Sequence, residues 1–398
     1  MISQKYPFGF GEIYLKRELR YLSQRFDEIH LYPLNRVNNK RSVPENVFVN
    51  EMFCNRSGRV NKWYALKKYF DCKKILKSEI ENAVYGVAYL KEKYKEFLAQ
   101  VIMAQELSDK FYKTILPKIE NANVRFYSVW LDEGALVLSL LKRAGRIKSF
   151  VVRLHGFDLY DDRREGKYMP FRCFCFKHAS KIFVVSQVGA DYTKRLNLYP
   201  EKVLANYSGV DDHGLTKSSN GKIRLISCSN LIPLKRVNLI IKMLESISIP
   251  IEWKHFGDGT ERSKLEKLAE ALPNQIDYSF EGHVNYDKLI STYTEEHWTC
   301  FIHMSESEGL PLSLVEAMSF GIPVIACDVG GVSEIVSEKE GLLLELKPNL
   351  EKATKFILRL ADDPDFLKSK SEGARLKFLG NFNAQNNYHS FTDHLLNS

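Results

Sequence analysis

The sequence predicts an α/β protein with doubly wound parallel sheets, and three observations support that prediction. The chain has 398 residues, which is enough for two or three domains with separate cores. Between residues 222 and 346, short apolar runs alternate with helical patterns, an order typical of parallel strands joined by helices. Glycine and aspartate follow the strand patterns, as in Gly257-Asp258-Gly259, and mark the turns.

The second half of the chain carries these patterns without interruption. Apolar runs predict strands at 222–228, 251–256, 276–280, 298–302 and 324–326. Amphipathic spacing predicts helices at 237–247, 260–272, 286–293 and 312–320. Strict alternation of this kind predicts a parallel sheet covered by helices.

The first half is less regular. Strands are predicted at 28–32, 124–128, 150–154 and 182–185, and a helix ends near Leu22. The region 61–119 is rich in lysine and aromatic residues and predicts two or three helices. Residues 199–212 are expected to connect the two halves.

Composition narrows the class of protein. The chain is 44% hydrophobic and 27% charged, which is typical of a globular protein, and no apolar run approaches the roughly 20 residues that span a bilayer. Its start lacks a signal-peptide pattern. The seven cysteines are odd in number and sit in apolar contexts, which predicts reduced, buried thiols in a cytosolic protein. Cys173 and Cys175 have no matching second pair, which argues against zinc.

Charge is divided unevenly along the chain. Residues 1–200 contain 36 of the 57 basic and 21 of the 49 acidic residues, a net charge of +15, and residues 201–398 carry −7. The basic half therefore has three candidate partners: an anionic membrane surface, an acidic acceptor or a nucleic acid. Its lysines cluster with aromatic residues, which predicts either a solvated basic face or a helix on a membrane surface. These residues are Trp63, Tyr64, Lys67, Lys68, Tyr69, Phe70, Lys73, Lys74 and Lys77.

The segment 305–318 carries the strongest chemical signal. It follows an apolar run, 299–303, that predicts a buried strand. Pro311 suits a first helical turn, and the amides near Leu312 and Ser313 then form an anion site. Glu308 is expected at the open end of the sheet, where α/β proteins bind ligands. Glu316 lies about one turn further along, within reach of a sugar hydroxyl.

The pair Glu308 and Glu316, separated by seven residues, resembles the signature of the GT4 family of retaining, nucleotide-sugar-dependent glycosyltransferases. The resemblance includes Glu308-Gly309-Leu310-Pro311, the run 316–325 and the run 330–336. It implies the GT-B fold, in which two Rossmann-like doubly wound domains face each other across a cleft. The expected domains are 1–203 on the acceptor side, 204–381 for the nucleotide-sugar, and a helix, 382–398, that returns to the first domain.

The resemblance also implies a set of site residues. His155 and Glu308 are the predicted catalytic residues, and Lys235 is the predicted diphosphate-binding cation. The other predicted donor-binding residues are Gly9, Gly11, Asn230, Arg236, Gly257, His283, Gly309, Leu310, Leu312, Ser313 and Glu316. Many members of the family have arginine where this chain has Asn230, so a clamp of two cations is open to question, and Arg236 is the candidate replacement.

Two further side chains have alternative interpretations. A histidine beside glycine at a strand end, as His155 is, suits ligand contact but also suits a loop with internal hydrogen bonds. Asp158 is expected either at the site or as the cap of the following segment. No aspartate pair stands in a metal-binding context, so we expect no metal and no cofactor.

The expected activity is transfer of a sugar from a UDP- or GDP-linked donor to a hydroxyl of a glycan or lipid-linked acceptor, in surface or exported polysaccharide biosynthesis. The expected location is the cytoplasm, with peripheral attachment to the inner face of the membrane as a candidate. Two alternatives remain at this stage. A GT-B epimerase or hydrolase would change the donor without an acceptor. A basic nucleic-acid-binding protein is suggested only by net charge, and the acidic second half argues against it.

Overall fold

The computed structural model describes residues 1–9, 11–54, 62–120, 122–217 and 221–398. The chain divides into two compact units. Unit 1 contains Met1–Asn206 and Tyr388–Ser398, and unit 2 contains Tyr207–Asn387.

Unit 1 is built on a parallel sheet of seven strands in the order β3-β2-β1-β4-β5-β6-β7. Its strands are β1 (Ile2–Ser3), β2 (Ile29–Pro33), β3 (Val47–Val49), β4 (Tyr127–Ser128), β5 (Val151–Leu154), β6 (Lys181–Val184) and β7 (Val203–Ala205). Its helices are α1 (Tyr14–Leu22), α2 (Lys62–Asn82), α3 (Val87–Glu92), α4 (Tyr94–Thr114), α5 (Glu133–Arg143), α6 (Arg172–His178) and α7 (Gln187–Arg195). The region predicted to hold two or three helices forms α2, α3 and α4.

Unit 2 is built on a parallel sheet of six strands in the order β10-β9-β8-β11-β12-β13. Its strands are β8 (Arg224–Cys228), β9 (Ile251–Phe256), β10 (Ile276–Gly282), β11 (Cys300–His303), β12 (Val324–Cys327) and β13 (Gly341–Leu344). Its helices are α8 (Val237–Leu244), α9 (Arg262–Ala269), α10 (Tyr286–Glu295), α11 (Leu312–Ser319), α12 (Val332–Ile335), α13 (Leu350–Asp362) and α14 (Pro364–Asn381). The prediction of doubly wound parallel sheets is confirmed in both units.

The last helix, α15 (Ala384–Leu396), begins in unit 2 and ends in unit 1. Within unit 1, the Phe391 ring lies edge-on to Tyr127 and Phe183, with ring centroids 5.2 Å apart in each pair. The guanidinium of Arg153 lies 4.5 Å from the centroid of the Phe391 ring and donates to Glu18 at 2.8 Å in a fully buried ion pair. Aromatic packing and the contact of the Arg153 guanidinium with the Phe391 ring fix the end of α15 on the sheet of unit 1.

Each sheet reverses its strand order at one place. In unit 1 the reversal lies between β1 and β4, and in unit 2 it lies between β8 and β11. The loops that leave the carboxyl ends of two such strands run in opposite directions and leave a crevice, which is where open α/β sheets bind ligands. We call these places switch point 1 and switch point 2. All seven cysteines are free thiols.

Candidate active site

Switch point 2 brings together two of the predicted site residues. Lys235 ends a short 3₁₀ turn after β8, and Glu308 stands in the loop after β11. The Lys235 ammonium donates to Glu308 Oε1 at 2.6 Å. The sequence separates these residues by 73 positions; the pairing of β8 with β11 is what brings their loops together.

A third side chain completes this cluster, and sequence reasoning did not assign it a role. His303, the last residue of β11, donates from Nε2 to the same Glu308 oxygen at 2.9 Å. Burial raises the pKa of Glu308, but the His303 hydrogen bond and the Lys235 charge outweigh burial and hold its pKa well below the usual range. Glu308 is therefore an ionised carboxylate at neutral pH. The signal for His303 in the sequence is a polar residue at the end of an apolar strand pattern.

Close backbone contact fixes the loop that carries Glu308. Gly330, in the loop after β12, has a positive φ of 56°, and a Cβ atom there would lie 1.9 Å from the Glu308 carbonyl oxygen. The neighbouring Gly331 amide donates to the Gly309 carbonyl at 2.8 Å. Only glycine allows this approach, because any side chain at position 330 would displace Glu308.

Arg236 binds backbone carbonyls beside the cluster. Its guanidinium donates to the carbonyls of Met304 at 2.7 Å, Ser305 at 3.1 Å and Leu346 at 2.7 Å. These bonds tie the loop after β8 to the loops after β11 and β13. The contacts hold Lys235 in place through the backbone, whereas a direct contact between Arg236 and the donor stays a prediction.

The predicted anion site lies at the amino end of helix α11. Pro311 precedes the helix and no side chain caps its amino end. The amides of Leu312 and Ser313 precede the first intrahelical hydrogen bond and carry the positive end of the helix dipole. Burial raises the pKa of Cys228, the last residue of β8, to about 12, and the charge of Glu316 in the second turn of α11 adds to this rise. The amino end of α11 and the Lys235–Glu308 pair therefore lie at one edge of the sheet.

The other residues predicted for unit 2 follow strand ends at the same edge. Asn230 follows β8, Gly257 follows β9, and His283 follows β10, with the Asn230 and His283 side chains exposed. Gly257 has φ of 135°, and a Cβ there would lie 1.9 Å from the Ser229 carbonyl oxygen. Gly309 and Leu310 lie in the loop between Glu308 and α11. These positions agree with the predicted edge, and the individual roles stay predictions.

Switch point 1 contains a cavity of about 430 Å³. Its lining includes polar and charged side chains as well as apolar ones. The polar and charged members are Gln4, Lys5, Glu12, Gln100, Asp132, Glu133, Asp158 and Arg164. Gly11, which was predicted to lie near the donor, also lines this cavity, and a Cβ atom there would meet open space.

Glu12 organises the glycine-containing loop after β1, and the sequence had given it no role. One carboxylate oxygen accepts from the Lys5 and Tyr6 amides at 2.7 Å each. The other accepts from the Gln4 amide at 3.1 Å and from Trp130 Nε1 at 2.7 Å. Four hydrogen bonds to one side chain fix the loop and explain why Glu12 holds a positive φ of 54°. Gly9, in the same loop, has φ of 68°.

His155 lies at the end of β5, where the sequence placed it. Its ring packs between Tyr14 and Trp130, with centroid distances of 4.9 and 4.4 Å. Among the described residues, neither ring nitrogen has a hydrogen-bond partner. Burial lowers the pKa of His155 well below its usual value, so the imidazole is neutral at pH 7 and has one donor and one acceptor to offer.

Asp158 holds the backbone of this region and does not cap a later segment. Its carboxylate accepts from the amide of His155 at 2.7 Å and from that of Leu131 at 2.8 Å. Burial raises the pKa of Asp158 to about 6. In the parts of the chain that the structure describes, His, Cys, Asp and Glu side chains form no cluster of three or more able to hold a metal ion.

The architecture and these two switch points define a class of protein. Residues 212–377 match the family described as Glycosyl transferases group 1. The whole chain overlays the structure of Anabaena HepE in complex with UDP and glucose, with a TM-score of 0.67, 15% identity, and coverage of 100% of this chain and 98% of that one. The fold is therefore GT-B, and the match to the group 1 family lies within unit 2.

Two curated relatives add to this match. An uncharacterized glycosyltransferase of Haemophilus influenzae is 30% identical over 38% of this chain and 43% of its own length. The putative colanic acid biosynthesis glycosyltransferase WcaL of Salmonella typhimurium is 24% identical over 62% of this chain and 64% of its own length. The chain thus spans about half to two thirds of these relatives. Both relatives are named as glycosyltransferases.

Proposed function

We propose that this protein is a retaining glycosyltransferase of the GT4 family. It transfers a sugar from a UDP- or GDP-linked donor to a hydroxyl of a glycan or lipid-linked acceptor in the cytoplasm. The observation that carries the proposal is the cluster of Lys235, Glu308 and His303 beside the amino end of α11 at switch point 2. The UDP and glucose of the HepE complex and the colanic acid role in the WcaL name support a nucleotide-sugar donor and a polysaccharide product.

The leaving nucleoside diphosphate gains negative charge as the sugar departs, and fixed positive groups lower the barrier. An ammonium group has three hydrogens, and Lys235 gives one of them to Glu308, which leaves two for phosphate oxygens. The amides of Leu312 and Ser313 add donors that are aligned by the helix. These groups supply the charge that a divalent cation supplies elsewhere, so we propose a metal-independent reaction.

Glu308 is proposed to hold the donor sugar at switch point 2, and His155 is proposed to bind a sugar hydroxyl in unit 1. An ionised carboxylate accepts hydrogen bonds from sugar hydroxyls, and the neutral imidazole of His155 both donates and accepts. Glu316 is proposed to accept from the ribose hydroxyls. The acceptor hydroxyl attacks the anomeric carbon on the face that the diphosphate leaves and transfers its proton to the departing phosphate oxygen. This path retains the configuration without a covalent sugar–enzyme intermediate.

Calorimetric titration of the full chain with UDP, GDP and ADP tests the donor site. We expect one of the first two to bind, because a native-state ligand uses the prepared phosphate and ribose contacts. Incubation of the corresponding nucleotide-sugar with a polyprenyl-phosphate-linked sugar should then give a product whose anomeric proton coupling matches that of the donor. Activity should persist in a chelator.

Two results would contradict the proposal. A product with inverted configuration would exclude the retaining path. Conversion of the donor without any acceptor would indicate an epimerase or hydrolase instead.

A further inference from the structure

The outward face of α2 combines large apolar side chains with lysines. Three of its residues are strongly exposed: Trp63 at 84%, Leu66 at 71% and Phe70 at 73%. We call these three residues the α2 stripe. They are spaced by three and four positions, so they follow one line along the helix surface.

The inner face of the same helix explains why the stripe points away from unit 1. Cys72, Ile75, Leu76 and Glu79 are buried and face the core. Each residue turns an α-helix by about 100°, so Phe70 points about 200° away from Cys72. Amphipathic helices of globular proteins expose polar residues opposite the core, whereas α2 exposes its largest apolar residues there.

Lysines flank the stripe on both sides. Lys67, Lys73 and Lys74 are exposed, and no ion pair joins them to another residue within the described ranges. Lys68 turns inward to Asp109 at 3.1 Å, and exposed Lys77 lies 3.8 Å from exposed Glu81. The acidic residues near this face are Asp71 and Glu81, so the lysines outnumber them.

This chemistry fits the surface of an anionic bilayer. Helices that lie in the membrane interface place aromatic and leucine side chains at the acyl boundary and lysines among the headgroups. We infer that the α2 stripe docks this protein on an anionic membrane, with Leu66, Phe70 and Trp63 inserted and the flanking lysines on lipid phosphates. Within the described ranges no helix is both long and apolar enough to cross a bilayer. The docking is therefore peripheral and does not depend on the proposed glycosyl transfer.

Two other occupants fit the face less well. A second copy of the chain, docked by twofold symmetry, would set the lysines that flank one α2 stripe against the lysines that flank the other. A nucleic acid would meet exposed leucine and phenylalanine at the centre of its contact with the lysines. Measurements of vesicle binding, dimer formation and duplex DNA binding distinguish both occupants from a membrane.

Co-sedimentation with vesicles tests the inference. We expect the full chain to bind vesicles of phosphatidylglycerol and phosphatidylcholine, to bind pure phosphatidylcholine weakly, and to dissociate as salt rises, because the Debye length shrinks. The double variant Leu66→Ser with Phe70→Ser should bind anionic vesicles at least about tenfold more weakly, because it removes the inserted apolar area. The matched control is Leu215→Ser with Leu376→Ser, whose side chains are 63% and 69% exposed in unit 2. It should bind like the unchanged protein.

Trp63 provides a second readout. Of the other three tryptophans, Trp253 and Trp298 are buried and Trp130 is half-buried. Insertion should shift the fluorescence emission to shorter wavelength on anionic vesicles, and Trp63→Phe should abolish the shift while the protein still sediments with the vesicles. Equal binding by the unchanged protein and the double variant would overturn the inference, as would no binding at all. A dimer that the double variant disperses, or salt-dependent binding to random duplex DNA in place of lipid, would assign the face to another partner.

Discussion

Switch points 1 and 2 lie at the same topological position in two parallel sheets, yet their electrostatics are opposite. At switch point 2, Glu308 is paired with Lys235 and His303, and its pKa is held low. At switch point 1, no ion pair within the described residues joins half-buried Asp132 to a cation, and desolvation raises its pKa to about 7. Asp132 instead accepts from the Gly134 amide and from Gln4 Nε2, both at 2.7 Å.

The difference gives the two switch points of one fold different chemistry. Switch point 2 concentrates cationic and amide donors, which suits an anionic diphosphate. Switch point 1 concentrates carboxylate acceptors around a cavity, which suits hydroxyl groups. The strand order determines where each site lies, and the loop side chains determine what it binds.

Removal of the cation at switch point 2 should have the largest effect. Lys235→Ala removes a charge-assisted contact worth about 1.5–3 kcal/mol, which corresponds to a loss of about 10- to 150-fold in kcat/KM. Steady-state kinetics below saturation of the donor measure the loss. Lys242→Ala, at an exposed position on α8, is the control and should leave kcat/KM unchanged. Unchanged kinetics for Lys235→Ala would mean that another group neutralises the diphosphate.

Loosening of the loop at switch point 1 should reduce stability. Glu12→Gln replaces an oxygen that accepts two backbone hydrogen bonds by an amide group that cannot accept them, at a cost of about 1–3 kcal/mol. Chemical denaturation should show the loss, while the affinity of unit 2 for nucleoside diphosphate stays the same. Glu45→Gln, at an exposed position, is the control. A parallel loss of nucleotide affinity would show that the two switch points are not independent.

Glu316→Gln should have a smaller effect that is confined to the donor. A neutral amide accepts more weakly than a carboxylate from the ribose hydroxyls, and the difference of about 1 kcal/mol corresponds to about fivefold in affinity. Calorimetry with the nucleoside diphosphate measures it. Glu306→Gln, an exposed change in the loop before α11, serves as the control. Equal affinities for the unchanged protein and Glu316→Gln would remove Glu316 from the ribose site.

The pH dependence of stability should have opposite signs at the two switch points. The pKa of Asp132 is raised by folding to about 7, so its contribution to stability is complete below about 4 and is lost as pH rises towards 7. The pKa of Glu308 is lowered by folding, so its contribution is complete above about 4.5 and is lost as pH falls. Melting temperatures between pH 2 and 7.5 measure both contributions, because that of Asp132 changes above about pH 4 and that of Glu308 changes below about pH 4.5.

Two variants separate these contributions. Asp132→Asn keeps a side chain that can cap α5. Relative to the unchanged protein, this variant should gain melting temperature at pH 7 compared with pH 4. Glu308→Gln should lower the melting temperature most at neutral pH. Parallel pH profiles for Asp132→Asn and the unchanged protein would contradict the assignment of the raised pKa.

The strands and helices of unit 2 were largely predictable, because buried parallel strands read as short apolar runs. The prediction of 251–256 matches β9, and α10 and α11 begin where their patterns begin. Unit 1 was harder to predict. Strand β1 has two residues and β3 and β7 have three each, which is too short for a pattern to stand out.

The candidate site divides in the same way. Glu308, Lys235 and Glu316 were predicted because each lies close after a strand pattern or in the helix pattern that follows one, and their roles stay predictions. His303 and Glu12 were given no role, because most of their partners lie five to eight residues away across irregular turns, where no periodic pattern predicts a contact. For the lysine cluster, the sequence left a solvated face and a membrane-surface helix as alternatives. The exposure of Leu66 and Phe70 on α2 is what identifies the surface proposed for the membrane.

The sequence by itself determined the fold class and the edge of the sheet at which the residues predicted to bind the donor lie, because hydrophobic periodicity and glycine positions are local properties of the chain. Only the tertiary structure decided which charges meet. The Lys235–Glu308 pair, the hydrogen bond from Trp130 to Glu12 and the packing of neutral His155 against Trp130 each depend on groups brought together by strand pairing. Charge state depends on distance and burial, and neither is encoded by neighbouring residues alone.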